Sequence, residues 1–171
     1  LAQGPGPFGV AYKTVDASAA AALFAAAGIG DGSVQAFTRP VVLADGAHDA
    51  SFAVARTMQG AVPGAWLFAC EHRTPELVWL PDFLDHPNGA LGLLEIVGVA
   101  ADLAAIARGW SVLGARVTHE GEAVAIASAT ATVRFLTPHA FVERFGVGAR
   151  PHLPPPCLAT CIVRVAALDI T

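Results

Sequence analysis

Apolar residues alternate with small or polar ones over Phe8, Val10 and Tyr12, then give way to the Ala-rich run "DASAAAALFAAAGIG". The alternation predicts a strand and the Ala-rich run a helix. Asp16 is placed to accept hydrogen bonds from the first free N–H groups of that helix, and Gly28 to end it in the left-handed conformation. The same order returns in "LLEIVGVAADLAAIARGWSVLGAR", where Asp102 and Gly114 have the same separation as Asp16 and Gly28. After each predicted helix come strand-like stretches: "VQAFTRPVVLA", "ASFAVART" and "AWLFAC" in the first copy, "RVTH", "AVAIAS" and "ATVRFL" in the second. "ADGAHD" and "HEGE" supply the turn residues between strands. Each copy then runs into Thr-Pro, at Thr74-Pro75 and Thr137-Pro138, a pairing that starts a helix well. Near the end, "CIVRVAALD" reads as the opening strand of a further copy, with Asp169 in the capping position.

Each unit therefore reads β-α-β-β-β. One such unit leaves a sheet face apolar and open, so the repeat predicts an α+β fold of paired β-α-β-β-β modules around a shared cavity. The boundaries are a first module over 1–80, an inter-module linker over 81–92, a second and shorter module over 93–148, and a Pro-rich link with the opening strand of a further module over 149–171. Composition agrees, since 54% of the 171 residues are hydrophobic and 14% charged, which is ample apolar surface to bury. The net charge of -4 comes from scattered residues without a basic stripe, so nucleic acid is not expected as a partner. Asp16, Glu95 and Asp102 interrupt the most apolar stretches, so no membrane span is expected. Cys70, Cys157 and Cys161 lack the paired spacing of a structural zinc site, which suits a reduced cytoplasmic setting, and Cys157 and Cys161 read as small buried hydrophobes. The absence of an initiator Met and of a signal-peptide pattern reads as the start of a fragment.

Candidate chemistry concentrates in "CEHRTPELVWLPDFLDHPNGA", residues 70–90. Glu71 and His72 are adjacent on a strand, so they point to opposite faces and one of them faces the cavity. Glu71 is either a site residue or a structural one that pairs with Arg73 or caps the short helix at Thr74. Glu95 lies in a strand that is apolar on both faces, so it is a cavity acid or base, or one half of an internal ion pair with Arg116 or Arg134. Glu76 and Trp79 on the predicted short helix line the cavity entrance, or Trp79 packs under a loop. His86 and Asn88 contact a ligand from a mouth loop, or order the linker. His48, His119, His139 and His152 fall in turns or at element ends and read as exposed. Gly4, Gly6 and Gly9 form a GxGxxG string that precedes and enters a strand, which is not the context of a dinucleotide fingerprint.

The segments "FGVAYKTVDASAAAALFAAAGI", "LFACEHRTPELVW" and "HPNGALG" resemble the glyoxalase-like domain proteins of the vicinal oxygen chelate (glyoxalase/bleomycin resistance/extradiol dioxygenase) superfamily. The resemblance is strong to residue 92 and continues as a module pattern afterwards. It implies curved mixed sheets that wrap a pocket, a divalent metal held by His and Glu from the first and last strands of paired modules, and a further module before Leu1. Carried onto this chain, it favours Glu71 as metal ligand; with the residues read above, the candidate site is then Glu71 and Glu95 as catalytic residues and His72, Glu76, Trp79, His86 and Asn88 around the substrate. The sequence departs from the metalloenzymes on the first strands, where Phe8 and Leu91 to Leu93 stand in the places of the ligating His. Two functions follow: a metal-dependent lyase, isomerase or dioxygenase-type enzyme, with the metal as Lewis acid, or a metal-free protein of the same fold that binds or sequesters a small molecule. A third reading is a structural or assembly module, in which the unfinished last repeat docks onto another chain; an open half-pocket and an unpaired last strand make a homodimer the expected partner state.

Overall fold

Asp16 and Asp102 start two helices by the same device. In the computed structural model, which describes residues 6–166, the Asp16 carboxylate accepts hydrogen bonds from the N–H groups of Ser18 and Ala19 (2.8 and 2.9 Å) at the start of α1 (Ala17–Ala26). The Asp102 carboxylate accepts one from Ala105 (2.8 Å) at the start of α2 (Leu103–Ser111). Gly28 and Gly114 follow these helices with φ of 69° and 70°, a region that an L side chain enters only with strain.

Around α1 stand strands β1 (Gly9–Thr14), β2 (Val34–Leu43), β3 (Gly46–Arg56) and β4 (Trp66–His72). Around α2 stand β5 (Ala90–Val99), β6 (Arg116–His119), β7 (Ala123–Ala127) and β8 (Thr132–Leu136). In each unit the first and last strands pair in parallel, β1 with β4 and β5 with β8, while the other strands of the unit pair antiparallel. The result is two curved mixed sheets that do not close into barrels, ordered β1-β4-β3-β2 and β6-β7-β8-β5-β9. Pro40 is tolerated because β2 lies at a sheet edge, where a missing N–H leaves no central ladder bond unmade.

The chain end and the two Thr-Pro junctions differ from the sequence expectation in instructive ways. The last described strand, β9 (Cys157–Val165), pairs antiparallel with β5 and extends the second sheet; Asp169 lies outside the described residues. Cys157 is buried as expected, whereas Cys161, expected inside, is exposed on this edge strand. Thr137 caps α3 (Pro138–Phe145), its hydroxyl accepting from the Ala140 N–H at 3.1 Å. Thr74 makes no such cap, because its hydroxyl accepts from the Ser51 N–H of β3 at 2.8 Å. In place of the predicted short helix stand two three-residue 3-10 turns, Pro75–Leu77 and Pro81–Phe83. Pro81 explains the stop: it restricts Leu80 to an extended conformation, observed at ψ 124°, and a helix cannot run through that residue.

The principal core is shared by both units. Val10, Phe24 and Leu67 of the first meet Ile106, Trp110, Val133 and Phe135 of the second in one buried cluster. The β3–β4 connection reaches across to α2, where the Pro63 carbonyl accepts from the Trp110 indole N–H at 3.1 Å. Gly109 lets that approach happen, since a Cβ there would lie 2.3 Å from the Pro63 ring. A second cluster forms on the other face of the second sheet, where Phe141 of α3 covers Val97, Val99 and Leu136. Among the described residues no helix is long and apolar enough to cross a membrane.

Candidate functional site

The two sheets differ in what covers the face opposite their long helix. On the second sheet α3 fills it, and Glu95, 8% exposed, completes the filling from β5. Its carboxylate accepts a close hydrogen bond from Arg134 Nε, and Arg144 Nη2 of α3 lies 2.7 Å from the other oxygen as a charge contact. Arg134 also binds Glu120, and the carboxylates of Glu95 and then Glu120 hold its guanidinium above the ordinary pKa. Of the two roles open to Glu95, the structure builds the internal ion pair, with Arg134 and with Arg144. It does not bring Glu95 together with Glu71, which belongs to the other sheet.

On the first sheet the segment after β4 forms only the two 3-10 turns, and among the described residues no α-helix covers the corresponding face. Alternation along β4 puts Trp66, Phe68, Cys70 and His72 on that face and Leu67, Ala69 and Glu71 on the side of α1. Glu71 is therefore turned away from the aromatic face. Its Oε2 accepts from the Ala17 N–H of α1 at 2.9 Å and its Oε1 from Arg73 Nε at 3.1 Å. The Ala17 N–H first, and Arg73 second, hold its carboxyl below the ordinary value. A group with a lowered folded pKa contributes stability above its unfolded pKa and loses it as pH falls through the folded value. Glu71→Ala is thus expected to melt below wild type at neutral pH, with the gap closing in acid; thermal unfolding across a pH series reads it directly.

Strand register assembles the open face from four strands. Phe52 of β3 stands opposite His72, and Phe37 of β2 opposite Phe52. Their rings form a continuous run: Phe37 to Phe52 at 5.3 Å, Phe52 edge-on to His72 at 5.4 Å, and His72 to Trp79 at 5.8 Å. His72 Nδ1 is buried in this run and makes no hydrogen bond. Lys13 of β1, opposite Cys70, holds Nζ 5.7 Å from the Trp79 ring, and Arg39 of β2 lies 5.6 Å from Phe37. Arg56, opposite Phe68, donates to Gln35. Burial pushes the Cys70 thiol up, with Arg56 opposing. A cleft of about 210 Å³ runs over Gln35, Val54, Arg56 and Trp66 on the same face.

The remaining expected site residues lie apart from one another. Trp79, 50% exposed, covers His72, while Glu76 is exposed on the first 3-10 turn. His86 and Asn88 shape the approach to β5: the His86 carbonyl accepts from Gly89 N–H at 2.8 Å and Asn88 Oδ1 from Ala90 N–H at 3.1 Å. Among the described residues no hydrogen bond or ring contact joins either to the aromatic face. Lys13, Phe37, Arg39, Phe52 and Arg56 escape a reading of the sequence alone. The available signal is local: Phe37 and Arg39, two apart in a strand, share a face whatever the register.

Residues 1–114 match the family described as glyoxalase-like domain. The chain belongs to the glyoxalase-like domain family. No curated protein matches it. Among solved structures it is similar to one described as "a hypothetical protein from Staphylococcus aureus", with 8% identity and a TM-score of 0.53, over 75% of this chain and 52% of that one. At that identity the likeness is one of fold, and the match spans about half of the solved chain.

A metal in this glyoxalase-like domain would need several oxygen or imidazole donors converging on one face with open positions for substrate. The open face offers His72 and a protonated Cys70 beside Lys13, while Glu71 caps α1 and Glu95 is neutralised by two Arg. That donor set does not fit the metal the family implies. The described residues do bring Glu122, His139 and Glu143 together, with ligand atoms within 4.8 Å of one another, but all three are exposed. There Glu122 accepts from Thr137 Oγ1 at 2.9 Å and lies 2.8 Å from His139 Nδ1, which fastens α3 to the β6–β7 turn on the side of the second sheet.

Proposed function

We propose that this glyoxalase-like domain binds a small molecule on the open face of its first sheet, without a metal, and sequesters it there. The observation that carries the reading is the run Phe37, Phe52, His72 and Trp79, which no helix covers among the described residues although it is as aromatic as a core. Aromatic rings left outside the core with cations beside them are what a ligand site supplies, with area for burial and a few polar groups for orientation. The matching face of the second sheet, filled by α3 and the Glu95 pairs, supports the same conclusion by contrast.

The test is a calorimetric and thermal-shift panel of small carbonyl, phenolic, aromatic and amphipathic compounds, on wild type and on Phe52→Ala. At about 100 times its Kd, a ligand of the folded state raises stability by about 2.7 kcal/mol, and Phe52→Ala is expected to remove most of that gain. A panel in which nothing binds would end the proposal. The metal-dependent lyase, isomerase or dioxygenase reading makes the opposite forecast for chelation: exhaustive dialysis against EDTA should abolish ligand binding if a metal organises the site, and leave it unchanged in the metal-free reading.

A further inference from the structure

Charge is unevenly distributed over the first sheet. The chain carries 14 acidic residues against 10 Lys and Arg, yet its open face gathers Lys13, Arg39 and Arg56. The two carboxylates on strands β1 to β4, Asp49 and Glu71, alternate onto the opposite face. Of the carboxylates in the turns that flank β2, Asp45 pairs with His48, whereas Asp31, bonded to Ser33, lines the cleft beside Arg56. None of Lys13, Arg39 and Arg56 makes an ion pair among the described residues. Lys13 and Arg39 instead rest against the Trp79 and Phe37 rings, contacts that a carboxylate would outbid. Between Phe52 and Trp79, His72 Nδ1 is buried without a partner.

We infer that the ligand is a planar aromatic anion, of the aromatic carboxylate class, whose ring lies along Phe52, His72 and Trp79 and whose negative group is held by Lys13. The inference rests on the binding site proposed above and adds the ligand's charge and shape. Flat rings extend the existing run of stacked and edge-on contacts, which a saturated ring of equal volume does not. From β1, Lys13 is diagonal to His72 across the parallel pair, within reach of a long side chain, so one small molecule can touch both.

Isothermal titration of 2-naphthoate, 2-naphthalenemethanol and cyclohexanecarboxylate separates the contributions. On wild type, 2-naphthoate is expected to bind about 10-fold tighter than either control, the size of one charge-assisted hydrogen bond or one good ring contact. In Lys13→Met it falls to the level of the neutral alcohol, whose own affinity stays the same. Lys13 is exposed, and a second measurement needs no variant: added NaCl weakens the anion and spares the alcohol. Equal affinity for naphthoate and the alcohol, or indifference of naphthoate to both Lys13→Met and salt, overturns the anion assignment and leaves the small-molecule site standing. If other members of the wider panel bind and naphthoate does not, the ligand class falls alone; if nothing binds, the site falls with it.

Discussion

Trp110→Ala is expected to lower the free energy of unfolding by about 4 kcal/mol and to unfold both modules in one transition. Trp110 is fully buried, stacks edge-on to Phe135 at 5.7 Å and donates its indole N–H to Pro63 in the β3–β4 connection. Truncation removes the transfer energy of a large ring, leaves a cavity bounded by both modules and strips the Pro63 carbonyl of its donor. The cluster around Trp110 contains Val10, Phe24 and Leu67 from one unit and Ile106, Val133 and Phe135 from the other, so neither module keeps a complete core once this one is lost. Trp110→Phe separates the causes, because it retains most of the ring and gives up the indole donor, at a cost of about 1–2 kcal/mol. Denaturant unfolding followed by far-UV circular dichroism and by Trp fluorescence checks the forecast: coincident curves with a lowered midpoint and an unchanged slope are expected. A variant whose first module stays folded while the second melts would show that the shared core does not couple them.

What the sequence reveals and what it hides follow from the range of the forces involved. Asp16 and Asp102 act within three residues of themselves and Gly28 and Gly114 within one turn, so both helices and their limits are legible locally. The repeat then yields the paired modules, and the parity of Glu71 against His72 can be stated without a structure. Which of those parities meets solvent cannot, because it depends on what returns to cover the sheet. Thr74-Pro75 and Thr137-Pro138 look alike in sequence, yet one hydroxyl is captured by Ser51 of β3 and the other caps α3. After Thr74 the chain makes only the 3-10 turn Pro75–Leu77, and Pro81 bars a longer helix, whereas α3 continues to Phe145. That divergence opens one face and fills the other. The aromatic face is hidden for a related reason, since Lys13, Phe37, Phe52 and His72 come from four strands and meet only through register.

Glu95→Ala is expected to cost about 3 kcal/mol in stability and nothing in ligand affinity. The carboxylate is nearly closed to solvent, and its removal leaves Arg134 and Arg144 facing each other across the space it filled. Removing one partner of a buried pair leaves an uncompensated charge, which usually costs about 3–5 kcal/mol. The lower end applies because Arg144 retains solvent access and Arg134 keeps Glu120. Arg134→Ala alone should be similarly harmful, whereas the double variant should recover part of the loss, since neither charge is then stranded. Binding is expected to be spared because Glu95 lies in the second sheet under α3, while the proposed site lies on the first sheet and the turn after it. Chemical denaturation with ligand titration on the same preparations distinguishes this from a role in the site. A Glu95→Ala protein that unfolds like wild type but no longer binds would make Glu95 a binding residue. A protein that binds normally while unfolding early identifies the pair as the plug that closes the second module, apart from the site proposed on the first.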